Sequence, residues 1–250
     1  MDNNRTFNDF TCDLQTAKLT DEEREELEGY ITIEDCAKVL KTFPPSKSPR
    51  DYGFTAEFYC CFFDLESRNL VNSFNTAYKE GELPISQCRG VITLVPKEDC
   101  QRAGLSDLAN WWPVTLLNSD FKIASKVIAK RIEKILPRII HPDQIGFVKG
   151  RYIGPSIRSI NDTMEHTKLH NIPGILLLLD FRKAFDTIEW SFIQNTLNFP
   201  NFGRGIKQWI STFYTGSESA VLNNGFFTRM MQSMSFHLRR WEIVGTKVIH

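Results

Sequence analysis

Between Ile172 and Trp190 the chain reads IPGILLLLDFRKAFDTIEW, and five consecutive apolar residues, Ile175 to Leu179, run without alternation into Asp180. A run that short and that apolar predicts a strand buried on both faces. Pro173 and Gly174 punctuate its start, and beyond Asp180 the pattern loses strand character. The stretch therefore predicts one carboxylate delivered at the exit of a core strand, and hard-cation binding is the chemistry that placement suggests.

Around this stretch the sequence predicts a mixture of helices and strands. Thr20 with Glu23, and Thr32 with Asp35, are Thr-x-x-acid pairs of the kind that open helices, with Gly29 between them. The second helix stops near Phe43, because Pro44 and Pro45 cannot continue it. Helical spacing returns between Phe54 and Tyr78, predicting two packed helices. Gly90 to Lys97 (GVITLVPK) predicts a strand ending at Pro96 with Lys97 at its exit. A long helix is expected over Ser119 to Leu136, ended by Pro137. Another is expected over Ile157 to His170, and two more, broken at Gly203–Gly205, over Phe192 to Tyr214. Asn224-Gly225 predicts a hairpin turn.

Formal net charge is zero, so an anionic partner must be held by local basic patches and not by a global field. Lys122 to Arg138 is one such patch, with six basic residues against Glu133. The segment HPDQIGFVKGRYIG, His141 to Gly154, mixes glycines with Lys149, Arg151, Phe147 and Tyr152, as suits a loop approached by an anionic backbone. His166 and His170 share a helix face but have no third ligand at useful spacing, so they do not make a metal site. The six cysteines lack paired CxxC spacing and predict reduced, structural thiols. No secretory leader or membrane-length apolar run is present, which predicts an intracellular protein, nuclear or cytoplasmic, with no membrane partner.

Several segments resemble, in order and spacing, the reverse transcriptase domain of non-LTR retrotransposons of the long interspersed element type. They run from about Leu19 to Thr228 and include SPRDYGFTAEFY, LPISQCRGVITLVPK, NWWPVTLLNSDFKIASKVIAKRIEKILP, HPDQIGFVKGRYIG, IPGILLLLDFRKAFDTIEW and VLNNGFF. The resemblance implies an α+β right-hand polymerase fold with fingers and an incomplete palm, the thumb absent. Residues 1–45 would form a helical extension, 46–170 the fingers, 171–228 a partial palm, and 229–250 a tail outside the match and outside the fold. It implies an RNA template, a DNA primer, dNTP and Mg²⁺ as partners and cofactor.

The resemblance also distributes roles. Asp180 and the carbonyl of Phe181 would bind catalytic Mg²⁺, the two ions of such a site lying roughly 3.5 to 4 Å apart. Phe185 would pack against the incoming sugar and exclude a 2′-hydroxyl, while Lys97 would face the triphosphate. Lys149 and Arg151 would contact template phosphates.

Three departures bear on activity. Trp112 stands where the family carries an arginine for the triphosphate, Arg50-Asp51-Tyr52-Gly53 replaces a glycine-rich turn, and no RQGxPLSP segment or pair of adjacent aspartates occurs in the chain. An indole offers one donor and no charge in place of a guanidinium, a loss of roughly 1.5 to 3 kcal/mol for a charge-assisted bond. The expectation is a reverse transcriptase fragment, truncated and inactive alone, in which Ile175 to Leu179 are left with an exposed edge. The alternative is a non-catalytic nucleic-acid-binding module that kept the basic helix and the KGR loop. Oligomeric state is left open.

Overall fold

The computed structural model describes residues 17–45, 54–97, 110–181, 188–223 and 225–232. The early helices are α1 (Asp21–Leu27), α2 (Ile33–Leu40), α3 (Ala56–Cys61), α4 (Phe63–Glu80) and α5 (Ile85–Cys88). Strands β1 (Arg89–Pro96) and β2 (Trp111–Leu117) follow, then helices α6 (Ser119–Glu133), α7 (Leu136–Ile139), α8 (Gly154–Leu169), α9 (Trp190–Asn198) and α10 (Arg204–Tyr214). Strands β3 (Glu218–Asn223), β4 (Phe226–Phe227) and β5 (Met231–Gln232) complete the described elements. The chain divides into two compact units, residues 21–132 with 203–234, and residues 1–20 with 133–202 and 235–250.

The first unit holds the sheet. β1 lies at its centre, antiparallel to β2 and parallel to β3, with β4 and β5 both antiparallel to β3. The β-branched run VITLV suits this doubly flanked place, and Val91 pairs with Ala220 in register, both buried. Gly90 permits the close approach of β2, since a Cβ there would sit 2.9 Å from Thr115 Cγ2 and 3.3 Å from Leu117 Cδ2. The expected hairpin forms, with Leu222 opposite Phe227 and Gly225 at φ 83°.

Around the sheet, local rules and long-range contacts agree. Thr32 and Asp35 make the expected capping box at the start of α2. Arg131 on α6 reaches the exposed carbonyl end of α1, donating to Gly29 O at 3.0 Å and Tyr30 O at 2.8 Å, and it also pairs with Asp35 at 2.9 Å. The Glu28 carboxylate accepts from the amides of Gly205 and Ile206 and so caps α10, a negative group at a helix N-terminus. Gly203 and Gly205 leave room for that carboxylate, which a Cβ at either position would overlap. Trp209 is fully buried, packs its ring 4.7 Å from Tyr78, and donates from Nε1 to Gly29 O. Truncating so large a buried ring costs about 3 to 5 kcal/mol in comparable cores.

The second unit carries α7, α8, α9 and the loops between them. Pro137 lies in the first turn of α7, where its missing N–H is harmless, so α6 ends earlier than expected, at Glu133. Helix α8 likewise starts at Gly154-Pro155. Leu19 N–H donates to Pro200 O, and Arg138 donates to Lys18 O, tying the unit's early residues to its later ones.

Two expectations need correction. The run Ile175 to Leu179 forms no strand ladder and is not buried: Ile175 is 79% exposed and Leu179 57%. Apolarity alone creates no strand; it needs a partner for its backbone groups, and among the described residues no sheet strand pairs with this run. The tail, expected to lie outside the fold, contributes Met231 and Gln232 to the sheet as β5. Short antiparallel pairing to β3 asks little of side-chain periodicity, which is the signal that the tail lacks.

Candidate functional site

The second unit contains Asp180, Phe181, Lys149 and Arg151, whereas Lys97 belongs to the sheet unit; Phe185 lies outside the described residues. Asp180 follows the extended apolar run and is exposed, as is Phe181. Among the described residues no group of three or more His, Cys, Asp and Glu side chains is placed to hold a metal ion. A lone carboxylate with a neighbouring carbonyl does not meet the near-octahedral oxygen ligation that Mg²⁺ requires, so the described donor set does not fit the ion.

Lys97 stands just past the end of β1, where its amide donates to Asn110 O at 2.9 Å and so extends the β1–β2 ladder by one bond. Val95 pairs with Trp112 in the register of these strands, and directly opposed residues share a face. Alternation then puts Val95, Trp112 and Val114 on one side, and carrying the pleat one step further adds Lys97. The three hydrophobic members are 41%, 53% and 42% exposed. The indole that replaces an expected guanidinium is thus an open apolar surface beside a lysine, on an edge strand.

The loop from His141 to Arg151 is built around one guanidinium. Arg151 turns inward: its two terminal nitrogens donate to His141 O at 2.6 Å, Gln144 O at 2.7 Å, Pro137 O at 2.8 Å and Ile140 O at 2.9 Å. Those two nitrogens carry four N–H groups between them, so four carbonyls use them all and only Nε–H stands outside the count. A guanidinium engaged in this way orders the surrounding backbone. Gln144 N–H to His141 O, Arg151 N–H to Val148 O and Gln144 Nε2 to Gly146 O close the loop further.

Out of this framework project two side chains with different chemistry. Lys149 is exposed, as a phosphate contact requires. Phe147 is 92% exposed and has φ 63°, in the left-handed region that costs a bulky residue roughly 1 to 2 kcal/mol. Val148 between them is buried and anchors the tip. Tyr152, 72% exposed, folds its ring over Gly154, where any Cβ would overlap it. Phe147 entered the sequence reading only as part of the loop's composition. Its glycine neighbours at 146 and 150 were the available signal, but backbone hand and ring exposure are not visible in one dimension.

The basic helix also differs from a uniform patch. Arg131 is engaged at the end of α1, and Lys126 lies 4.3 Å from the Phe43 ring centre while donating to Thr42 O. Burial, and then the neighbouring Lys130, push the Lys126 ammonium below its ordinary pKa.

Residues 95–241 match the family described as reverse transcriptase (RNA-dependent DNA polymerase). The Transposon TX1 uncharacterized 149 kDa protein of Xenopus laevis is 33% identical over 210 residues, 84% of this chain and 16% of that protein. A retrovirus-related Pol polyprotein from type-1 retrotransposable element R2 of Popillia japonica is 30% identical over 195 residues, 76% of this chain and 24% of that protein. The chain belongs to the reverse transcriptase family, as a domain of the non-LTR retrotransposon type. It spans about a sixth to a quarter of the curated relatives it matches. No helix among the described residues is long and apolar enough to cross a membrane.

Proposed function

We propose that the chain is the fingers and early palm of an RNA-directed DNA polymerase, contributing Asp180 and Phe181 to a two-Mg²⁺ site that these 250 residues do not complete. In this reading Lys97 faces the triphosphate of a dNTP, Phe185 limits the sugar, and Lys149 contacts the template phosphate backbone. Arg151 acts behind Lys149 as a positioning residue. The observation that carries the proposed inactivity is the solitary carboxylate: no adjacent aspartate pair occurs in the sequence, and no acidic cluster is found among the described residues. Phosphoryl transfer through two metal ions needs several oxygen ligands around both. Trp112 adds to the deficit by removing a cation from the Lys97 face.

Primer extension tests this directly. With an RNA template, a DNA primer, dNTPs and Mg²⁺, the chain is expected to yield no template-dependent product. Product that disappears in Asp180→Ala would overturn the inactivity while supporting the role of Asp180.

The second reading, a non-catalytic nucleic-acid-binding module, is favoured by the ordered 141–151 loop, which is built independently of any metal. It requires affinity for primer–template duplex that falls with rising salt, since neutralised phosphates release counterions.

A further inference from the structure

We propose that the outer end of the β-sheet is a stacking surface for single-stranded nucleic acid, with one base on the Trp112 indole, a second on the Phe227 ring and the connecting phosphates beside Lys97. The inference rests on the reading that this chain handles nucleic acid, and it gives the Lys97 face a polymeric ligand.

Strand register puts both rings on one face. Val114, Thr93, Leu222 and Phe227 stand directly opposite one another in a row that crosses β2, β1, β3 and β4. Opposed residues share a face. Trp112 and Val95 form the next row outward on that face, because side chains alternate along each strand. Burial is graded in the same direction: Val91 and Ala220, one row inward, are 7% and 0% exposed, whereas Trp112 and Phe227 are 53% and 56% exposed. Among the described residues neither of these two rings has an aromatic contact or a hydrogen bond.

Charge and area select the occupant. Lys97 continues the face one step beyond Val95, and the only carboxylate in strands β1 to β5, Glu218, lies at the inward end, paired with Arg89 at 3.6 Å. The exposed end is thus cationic and apolar, which suits a polyanion whose bases have flat apolar faces. Trp112, Phe227, Val95 and Val114, each about half exposed, offer on the order of 300 to 400 Å². A stable protein interface takes about 800 Å² from each partner, more than this face supplies, whereas a base needs only one ring.

Three strand spacings, about 14 Å, separate the strands that carry Trp112 and Phe227, so no single base touches both rings and the two hold different bases of one strand. The ligand is single-stranded because the bases of a duplex are stacked on one another and keep their faces from a ring. Sequence preference should be slight, since every base has a π-face.

Fluorescence anisotropy of the 250-residue chain with a labelled oligouridylate of about 20 nucleotides, compared with an RNA–DNA duplex of equal length, provides the test. Trp112→Leu and Phe227→Leu are each expected to weaken single-strand binding roughly 5- to 100-fold. Trp112→Phe and Phe227→Tyr should retain it, and duplex affinity should stay unchanged in all four. Lys97→Ala should flatten the salt dependence of single-strand binding. The indole supplies a second readout: the oligouridylate should quench tryptophan emission in wild type and less so in Trp112→Leu. Circular dichroism checks folding of each variant. Wild-type affinity in both leucine variants, or equal loss on strand and duplex, overturns the stacking surface. If Lys149→Ala weakens binding while the leucine variants do not, the nucleic-acid reading stands and only the stacking surface falls. If the leucine variants abolish self-association in light scattering yet bind the oligonucleotide as wild type does, the face joins copies of this chain and the proposal falls. No binding by the unaltered chain above the non-specific level removes both the surface and the nucleic-acid reading.

Discussion

Arg131 and Arg151 meet the same difficulty in different units. Each sits where several carbonyls converge without helix or sheet partners, and each answers with a planar guanidinium whose fork reaches more than one of them. A lysine cannot substitute, because a point charge on a flexible stem lacks the fixed geometry. Arg151→Lys is therefore expected to destabilise the second unit by about 2 to 3 kcal/mol, two to three of the four bonds being lost. Hydrogen exchange should quicken across residues 137–151 although net charge is unchanged. Unaltered exchange in Arg151→Lys would show the four bonds to be dispensable. At this scale the sequence is legible for residue type and illegible for direction: a KGR motif reads as two basic contacts, but only one of the two points outward.

Elements are held by ends as much as by faces. Helices α2 and α6 meet at Asp35, where burial pushes the carboxyl upward but the hydrogen bond to Arg131, the Thr32 amide and the Arg131 charge together outweigh it and hold the group below its usual range. At the start of α6 the balance is reversed, and burial lifts Asp120 despite bonds from the Phe121 amide and Gln87. The two carboxyls consequently carry opposite signs. Asp35, depressed when folded, contributes stability above the unfolded carboxylate pKa of about 3.9 that is lost as pH falls through its folded value. Asp120, raised when folded, favours the fold below about 3.9 and loses that contribution as pH rises through its folded value. Urea unfolding at pH 7 should show Asp35→Asn less stable and Asp120→Asn more stable than wild type, with both differences shrinking toward pH 3. Differences that stay constant with pH would mean the charges are not the cause. The capping box at Thr32 and the hairpin at Gly225 were readable because each depends on residues within four positions of one another. The capping of α10 by Glu28 was not, because the two are 177 residues apart.

At the scale of the molecule, one apolar segment pairs with no sheet strand among the described residues. Leu177, Leu178 and Leu179 are 54%, 47% and 57% exposed, with backbone outside any ladder. Extended apolar backbone of this kind templates pairing with other chains. The isolated chain should associate in a concentration-dependent manner by static light scattering, and Leu177→Lys with Leu179→Lys should suppress it; monodisperse wild-type protein at high concentration would contradict this. The sequence by itself determined the family, the capping box at Thr32 and the central strand β1, because those follow from short-range pattern and from motifs kept in order. Tertiary structure alone decided that Ile175 to Leu179 stay open, that the tail supplies β5, that Arg151 turns inward and that Phe147 turns out. Each of those depends on whether a distant segment offers a partner for a hydrogen bond or a covering for an apolar face, and no local window of residues contains that partner.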